Sequence, residues 1–67
     1  MTRAQEIADI ERRAAAVRTT MRDLCALAGI NKATWHRAKN NPDSLRVKKL
    51  GALEDALVKL ETQRAEA

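Results

Sequence analysis

The segment Thr20–Asn40 constrains the fold of this chain most, because it contains the stop signal of one helix and the start signal of the next. Gly29 stands where a helix commonly ends on a left-handed residue, a conformation that glycine adopts at no steric cost. Asn31 is a favourable N-cap for a following helix. The segment therefore predicts two short helices joined by a tight turn, at residues 21–28 and 32–40.

The second of these helices divides into two faces when successive residues are placed about 100° apart around its axis. Trp35 and Ala38 fall on one side, and Arg37 falls almost opposite them. Trp35 could stack on a nucleic-acid base, but its helical spacing favours packing in the core. The outer face is cationic, and a helix of this kind fits the major groove of B-DNA, which is about 12 Å wide.

Positive charge is concentrated in one part of the chain. The formal net charge is +4, and residues 30–50 contain six basic residues against Asp43 alone, a local net charge of +5. A basic patch confined to one part of a small domain is typical of a protein with a polyanionic partner. The alternative is a solvated surface with unevenly distributed charge.

The length and composition of the chain argue against several classes of function. The 67 residues predict one domain, 1–67. With a single cysteine, Cys25, and a single histidine, His36, we expect no disulfide, metal site or cofactor. We find no nucleophile–base pair and no phosphate-binding loop, so we expect no enzyme. No apolar run reaches the roughly 18 residues of a membrane span. A single cysteine that cannot form an internal disulfide is compatible with the reducing cytoplasm, so we expect a cytoplasmic protein.

Helices are also predicted on both sides of the central segment. The first runs from Arg3 to Arg18, with Thr2 and Gln5 as a capping box. Thr20 and Asp23 are predicted to form a second capping box. The residues expected to face the core in these first two helices are Ile7, Ile10, Ala14 and Val17, then Leu24, Leu27 and Ala28.

The region after Asn40 predicts a turn and a long last helix. Pro42 disfavours helix at the residue before it, so residues 41–44 are expected to form a turn. The last helix begins between Ser44 and Val47 and covers about 45–63, with a frayed polar end from Glu61. Its main apolar stripe is Leu50, Leu53, Leu57 and Leu60, and a second strip contains Val47, Gly51 and Val58.

Residues 20–40 resemble the helix-turn-helix of the lambda-repressor and Cro-like superfamily, in its small phage or prophage form. The residues that carry the resemblance are Leu24, Ala28, Gly29, Ile30, Thr34, Trp35 and Arg37. Cys25 departs from the family's usual small alanine, and Trp35 from its usual valine or isoleucine. The resemblance extends to roughly residues 3–60 and implies an all-α fold, a compact bundle of four helices, or five if the family's last helix is present.

The resemblance also implies which residues contact DNA. The expected contacts to bases come from Lys32, Ala33, His36 and Arg37. The expected contacts to phosphates come from Thr20, Arg22, Asn31, Thr34, Asn40, Asn41, Lys48 and Lys49. Three alternatives stay open: Arg37 could bind a phosphate or pair with Asp43, His36 could be a solvated side chain, and the two lysines could be ordinary surface residues.

These observations together predict a DNA-binding transcriptional regulator, most simply a repressor that binds an inverted-repeat operator as a homodimer, including its own promoter. The strip of Val47, Gly51 and Val58 is the first candidate for the dimer interface, and Leu53, Leu57 and Leu60 are the second. We expect no membrane partner and find no sign of a small-molecule ligand. The alternative is a small protein-interaction module, antitoxin-like or inhibitor-like, that docks a protein through its last helix.

Overall fold

The computed structural model describes residues 2–66 of the chain. In this part four α-helices and one short 3-10 helix follow one another, with no strand. The all-α prediction with four helices is confirmed, and the Cα radius of gyration of 11.3 Å is that of a compact chain of this length. The elements are α1 (Arg3–Ala16), α2 (Met21–Ala28), α3 (Lys32–Asn40), the 3-10 helix (Pro42–Ser44) and α4 (Val47–Glu66).

The first helix begins as predicted and ends earlier than predicted. Thr2 and Gln5 form the reciprocal capping box, with N–H to side-chain oxygen distances of 2.9 and 3.2 Å. The predicted end at Arg18 is wrong, because Arg18 adopts a left-handed conformation with φ of 56°. The N–H of Thr19 then donates to the carbonyl of Ala14 at 2.9 Å, which closes the helix without a glycine.

The turn between α2 and α3 follows the predicted signals. Gly29 has φ of 74°, and the N–H of Ile30 donates to the carbonyl of Cys25 at 2.8 Å. This bond spans the turn and satisfies a carbonyl that the helix end would leave free. Asn31 Oδ1 accepts from the N–H of Ala33 at 2.8 Å and starts α3. The predicted bounds of both helices are confirmed.

At the start of α2, the predicted capping box forms only in part. Thr20 Oγ1 accepts from the N–H of Asp23 at 3.1 Å. The reciprocal bond, in which the Thr20 N–H would donate to the Asp23 carboxylate, is not formed in the described structure. Aspartate has one methylene fewer than the glutamate or glutamine that usually completes this motif, which shortens its reach.

The core lies where one face of each α-helix meets the others. It excludes Leu27, which is 57% exposed, so the prediction that Leu27 faces inward is wrong. Cys25 is buried in its place at 3% exposure, and Ala28 is half-buried. Leu45, in the connection before α4, is a core residue that the helical patterns did not identify. The buried set is Ile7, Ile10, Ala14, Leu24, Cys25, Ile30, Trp35, Ala38, Leu45, Leu50, Leu53, Ala56 and Leu57.

The last helix is longer than predicted and buries part of the expected dimer interface. It continues as helix to Glu66 rather than ending near Gln63 or fraying from Glu61. Leu53 and Leu57 are fully buried within the single chain, so they cannot offer a surface to a second chain, and Leu60 is half-buried. The second strip is accessible, with Val47 at 70% and Val58 at 52% exposure. None of the helices in residues 2–66 is long and apolar enough to span a membrane.

Polar contacts join distant parts of the chain around this core. Arg13 and Glu61 form a two-bond ion pair between α1 and α4, with N–O distances of 2.6 and 3.2 Å. The hydrogen bond from Arg13 lowers the pKa of the Glu61 carboxyl, and the same bond raises the pKa of Arg13. Arg3 donates to the carbonyl of Leu45 at 2.5 Å, which joins the start of α1 to the segment before α4.

Candidate nucleic-acid interface

The two faces of α3 are separated as the sequence predicts. Trp35 is 7% exposed and Ala38 is fully buried, and both lie in the core cluster. The side chains opposite them are in solvent. The exposed residues of α3 are Lys32, Ala33, His36, Arg37, Lys39 and Asn40, whereas Thr34 is half-buried.

The position of α3 is fixed by three sets of contacts. On its inner side, Trp35 and Ala38 pack in the core with residues of α1, α2 and α4. The 3-10 helix that follows α3 contacts both α3 and α1. Lys39 near the end of α3 pairs with Glu11 of α1 at 3.1 Å. The inner face of α3 is therefore anchored by core packing, and its C-terminal end is anchored by the 3-10 helix and the ion pair with Glu11. The outer face remains in solvent.

Ion pairing distinguishes the cations of the basic segment. Lys39 is neutralised by Glu11. The other basic residues of this segment form no ion pair with side chains of residues 2–65, and the alternative pair between Arg37 and Asp43 is not formed. The unpaired and exposed cations of segment 30–50 are Lys32, Arg37, Arg46, Lys48 and Lys49, and Arg22 on α2 has the same character.

The N-cap residues of α2 and α3 keep hydrogen-bond donors free. The Thr20 Oγ1 and the Asn31 Oδ1 each accept a backbone N–H, so these oxygens are already used. The Thr20 hydroxyl hydrogen and the Asn31 amide hydrogens remain available, and both side chains are exposed. Asn40 and Asn41, also exposed, lie at the other end of α3. Hydrogen bonds to phosphate oxygens can come from these polar groups at the start of α2 and at both ends of α3.

The first turn of α4 adds a second cluster of positive charge. Lys48 and Lys49 are exposed there, beside Arg46, and the turn contains no acidic residue. A helix N-terminus disfavours cations, so these side chains do not stabilise the helix that carries them. The phosphate contacts expected from the sequence include the two lysines and do not include Arg46, which is exposed in the same way. The signal was available in the run Arg46–Lys49, where three of four residues are basic.

Cys25 is a buried residue of α2 whose thiol has low reactivity. Its thiol is buried among core residues, and burial raises the pKa of the Cys25 thiol because the thiolate would lose its hydration. A thiol that holds its proton is a poor nucleophile. The structure thus supports the reading of Cys25 as a small apolar packing residue.

The chain matches no protein-family model, no curated protein and no solved structure. The described residues offer an exposed face of α3 with unpaired cations, polar caps at the starts of α2 and α3, and a basic start of α4. Each of these groups can bind negative charge.

Proposed function

We propose that this protein is a sequence-specific transcriptional regulator that binds double-stranded DNA through a helix-turn-helix of the lambda-repressor and Cro-like kind. The observation that carries the proposal is the arrangement of α3: it follows the left-handed turn at Gly29, is anchored by buried Trp35, and holds unpaired Arg37 in solvent on the opposite side. A regulator of this kind would act in the cytoplasm, where phage or prophage DNA is transcribed.

In this mechanism α3 enters the major groove and α2 lies across the backbone. Arg37 donates two hydrogen bonds to guanine O6 and N7, a contact worth about 1–3 kcal/mol of discrimination against other bases. Ala33 leaves room for a thymine methyl group, and Lys32 and His36 reach neighbouring base edges. The contacts to phosphates come from Thr20, Arg22, Asn31, Thr34, Asn40, Asn41, Arg46, Lys48 and Lys49.

The proposed action is repression by occupancy. A domain with one short reading helix recognises few base pairs, so a homodimer on an inverted repeat supplies the missing specificity. The half-sites would lie about 34 Å apart, one turn of the duplex. Exposed Val47 and Val58, with Gly51 between them, form the strip of α4 proposed for the dimer contact. Val58→Lys should then weaken binding to the full operator more than binding to one half-site.

The experiment that tests the function is selection of bound duplexes from a random-sequence library, followed by footprinting on DNA that flanks the protein's own gene. The proposal predicts an enriched inverted repeat and a protected region near the promoter. A pool that stays random after repeated rounds, together with equal affinity for all duplexes, would contradict sequence-specific binding.

A second candidate function, a protein-interaction module, is favoured by a different observation. Leu27 projects into solvent beside a shallow groove that Ala52 and Ala56 of α4 help to form. Co-expression with the product of a neighbouring gene tests it. Co-purification that is lost with Leu27→Glu and kept with Arg37→Ala would favour the interaction module, whereas a specific shift of promoter DNA would favour the regulator.

A further inference from the structure

A groove of about 310 Å³ lies between α2 and α3. Its floor is apolar and is formed by Cys25, Ile30 and Trp35, which are all core residues. Met21 and Ala26 of α2 complete the apolar lining. The volume is at the lower end of the range of small-molecule sites, which are mostly apolar with a few polar groups that fix orientation.

The polar residues of this groove all favour a negative charge. Arg22 of α2 and Lys32 and His36 of α3 line it, and no acidic residue does. Arg22 and Lys32 form no ion pair within the described residues, so neither cation is neutralised by the protein. Lys32 and His36 lie one helical turn apart, so they approach the groove from the same side of α3.

We propose that this groove binds a small amphipathic carboxylate, a molecule with an apolar body of one or two rings and a single negative charge. The apolar body lies against Trp35, Ile30 and Cys25, and the carboxylate accepts hydrogen bonds from the cations of the rim. No single segment of the sequence indicated such a ligand, because the groove arises only when α2 and α3 are brought together.

Ligand binding would also regulate the protein, a consequence that rests on the proposed function. Arg22, Lys32 and His36 are proposed DNA contacts, so a carboxylate bound to them occupies the donors that the duplex requires. The ligand and the DNA then compete, and the ligand acts as an inducer that releases the operator.

The binding experiment uses 2-naphthoate as the probe and uncharged 2-naphthamide as its matched control. Amide chemical shifts of the ¹⁵N-labelled protein, and the indole N–H shift of Trp35, are followed during titration without DNA. A ligand of about 13 heavy atoms at modest efficiency gives a dissociation constant of ~1 mM. We expect saturable shifts around Met21, Cys25, Ile30 and Trp35, and at least about threefold weaker binding of the amide.

Three variants locate the site. Ala26→Phe introduces a bulky side chain at an exposed position of α2 that lines the groove, and it should abolish binding while the fold is kept. Lys32→Gln should weaken 2-naphthoate binding at least about threefold. Lys59→Gln on α4 makes the same charge change outside the groove and should leave the affinity unchanged. Shifts that do not saturate, equal binding of acid and amide, or no effect of Ala26→Phe would each overturn the proposal.

Measurements with DNA added distinguish ligand binding in this groove from the proposed DNA binding. If both hold, 2-naphthoate lowers the affinity for the selected operator and Ala26→Phe removes that effect. Saturable ligand binding by a protein that does not bind DNA would keep the ligand site and reject the regulator. Specific DNA binding with no response to 2-naphthoate would keep the regulator and reject the inducer role.

Discussion

Lys39 Nζ lies 3.1 Å from Glu11 Oε2, and this ion pair joins the end of α3 to α1. One cation of the basic segment is therefore paired within the protein, whereas Lys48 on α4 has no such partner among the side chains of residues 2–65. The two lysines have the same charge and are both exposed. They offer a charge-matched comparison of a paired and an unpaired cation.

This difference predicts different effects on DNA binding. Each phosphate that a protein neutralises contributes about −0.9 to the slope of log affinity against log salt concentration. Lys48→Gln should reduce the magnitude of the slope by about 0.9, and Lys39→Gln should leave it nearly unchanged. Fluorescence anisotropy with a labelled duplex at several salt concentrations measures both. A larger change for Lys39→Gln than for Lys48→Gln would show that the ion pair with Glu11 does not withhold Lys39 from DNA.

The two glycines predict opposite effects of one substitution. An added Cβ meets no atom within 4 Å at Gly29 or at Gly51, so steric contact does not distinguish them. Gly29 has φ of 74°, so Gly29→Ala should lower the free energy of unfolding by about 1–2 kcal/mol. Gly51 lies in the helix α4, so Gly51→Ala should raise it by about 0.5–1 kcal/mol. Urea denaturation at low protein concentration tests the pair, and a stabilising Gly29→Ala would contradict the left-handed turn.

Arg18 predicts a stabilising substitution at the end of α1. It is the one non-glycine residue with positive φ among those the structure describes. Glycine avoids the steric cost of a Cβ in this conformation but loses more chain entropy on folding. Arg18→Gly should therefore raise the free energy of unfolding by about 0.5–1 kcal/mol. Arg18→Ala is the control, because it removes the charge and keeps the Cβ. An equal effect of both variants on the unfolding free energy would assign the change to charge instead.

The sequence predicted those parts of the fold that depend on local signals. The bounds of α2 and α3 followed from Thr20, Gly29, Asn31 and Pro42, which act on backbone close to them. The separation of Trp35 from Arg37 followed from helical periodicity. Both features concern residues within one segment, where spacing alone determines geometry.

What the sequence did not predict depends on contacts between segments. The end of α1 is set by a left-handed Arg18, for which no local residue type gives a signal. In an eight-residue helix the inward face can be assigned to Leu27 or to Cys25, and only the packing of α2 against the other helices decides between them. Leu45 lies outside any helical period. The ion pair of Glu11 with Lys39 joins residues that are far apart in the chain.

The pair Arg13–Glu61 predicts a pH-dependent contribution to stability. The hydrogen bond from Arg13 lowers the pKa of Glu61 in the folded protein, so near the ordinary carboxyl pKa the unfolded chain binds more protons. The contribution is present above the unfolded-state pKa and is lost as pH falls through the folded-state pKa. Between about pH 5 and about pH 3, the wild type should lose more stability than Glu61→Gln.

Thermal unfolding of both proteins across that range measures the difference. The remaining carboxylates are common to both, so their effects largely cancel. Arg13→Met should reduce the acid sensitivity in the same way, because it removes the other partner. Parallel loss of stability in all three proteins would show that the ion pair does not influence the titration of Glu61 in solution.

The central claim is that the outer face of α3 reads base pairs, and Arg37→Ala tests it most directly. Its affinity should be measured on the selected operator and on random duplex DNA at one salt concentration, beside the wild type. The account predicts a loss of about 1–3 kcal/mol on the operator, a relaxed preference at one base pair, and a much smaller loss on random DNA. An equal loss on both DNAs would make Arg37 a phosphate contact and contradict base reading by this residue.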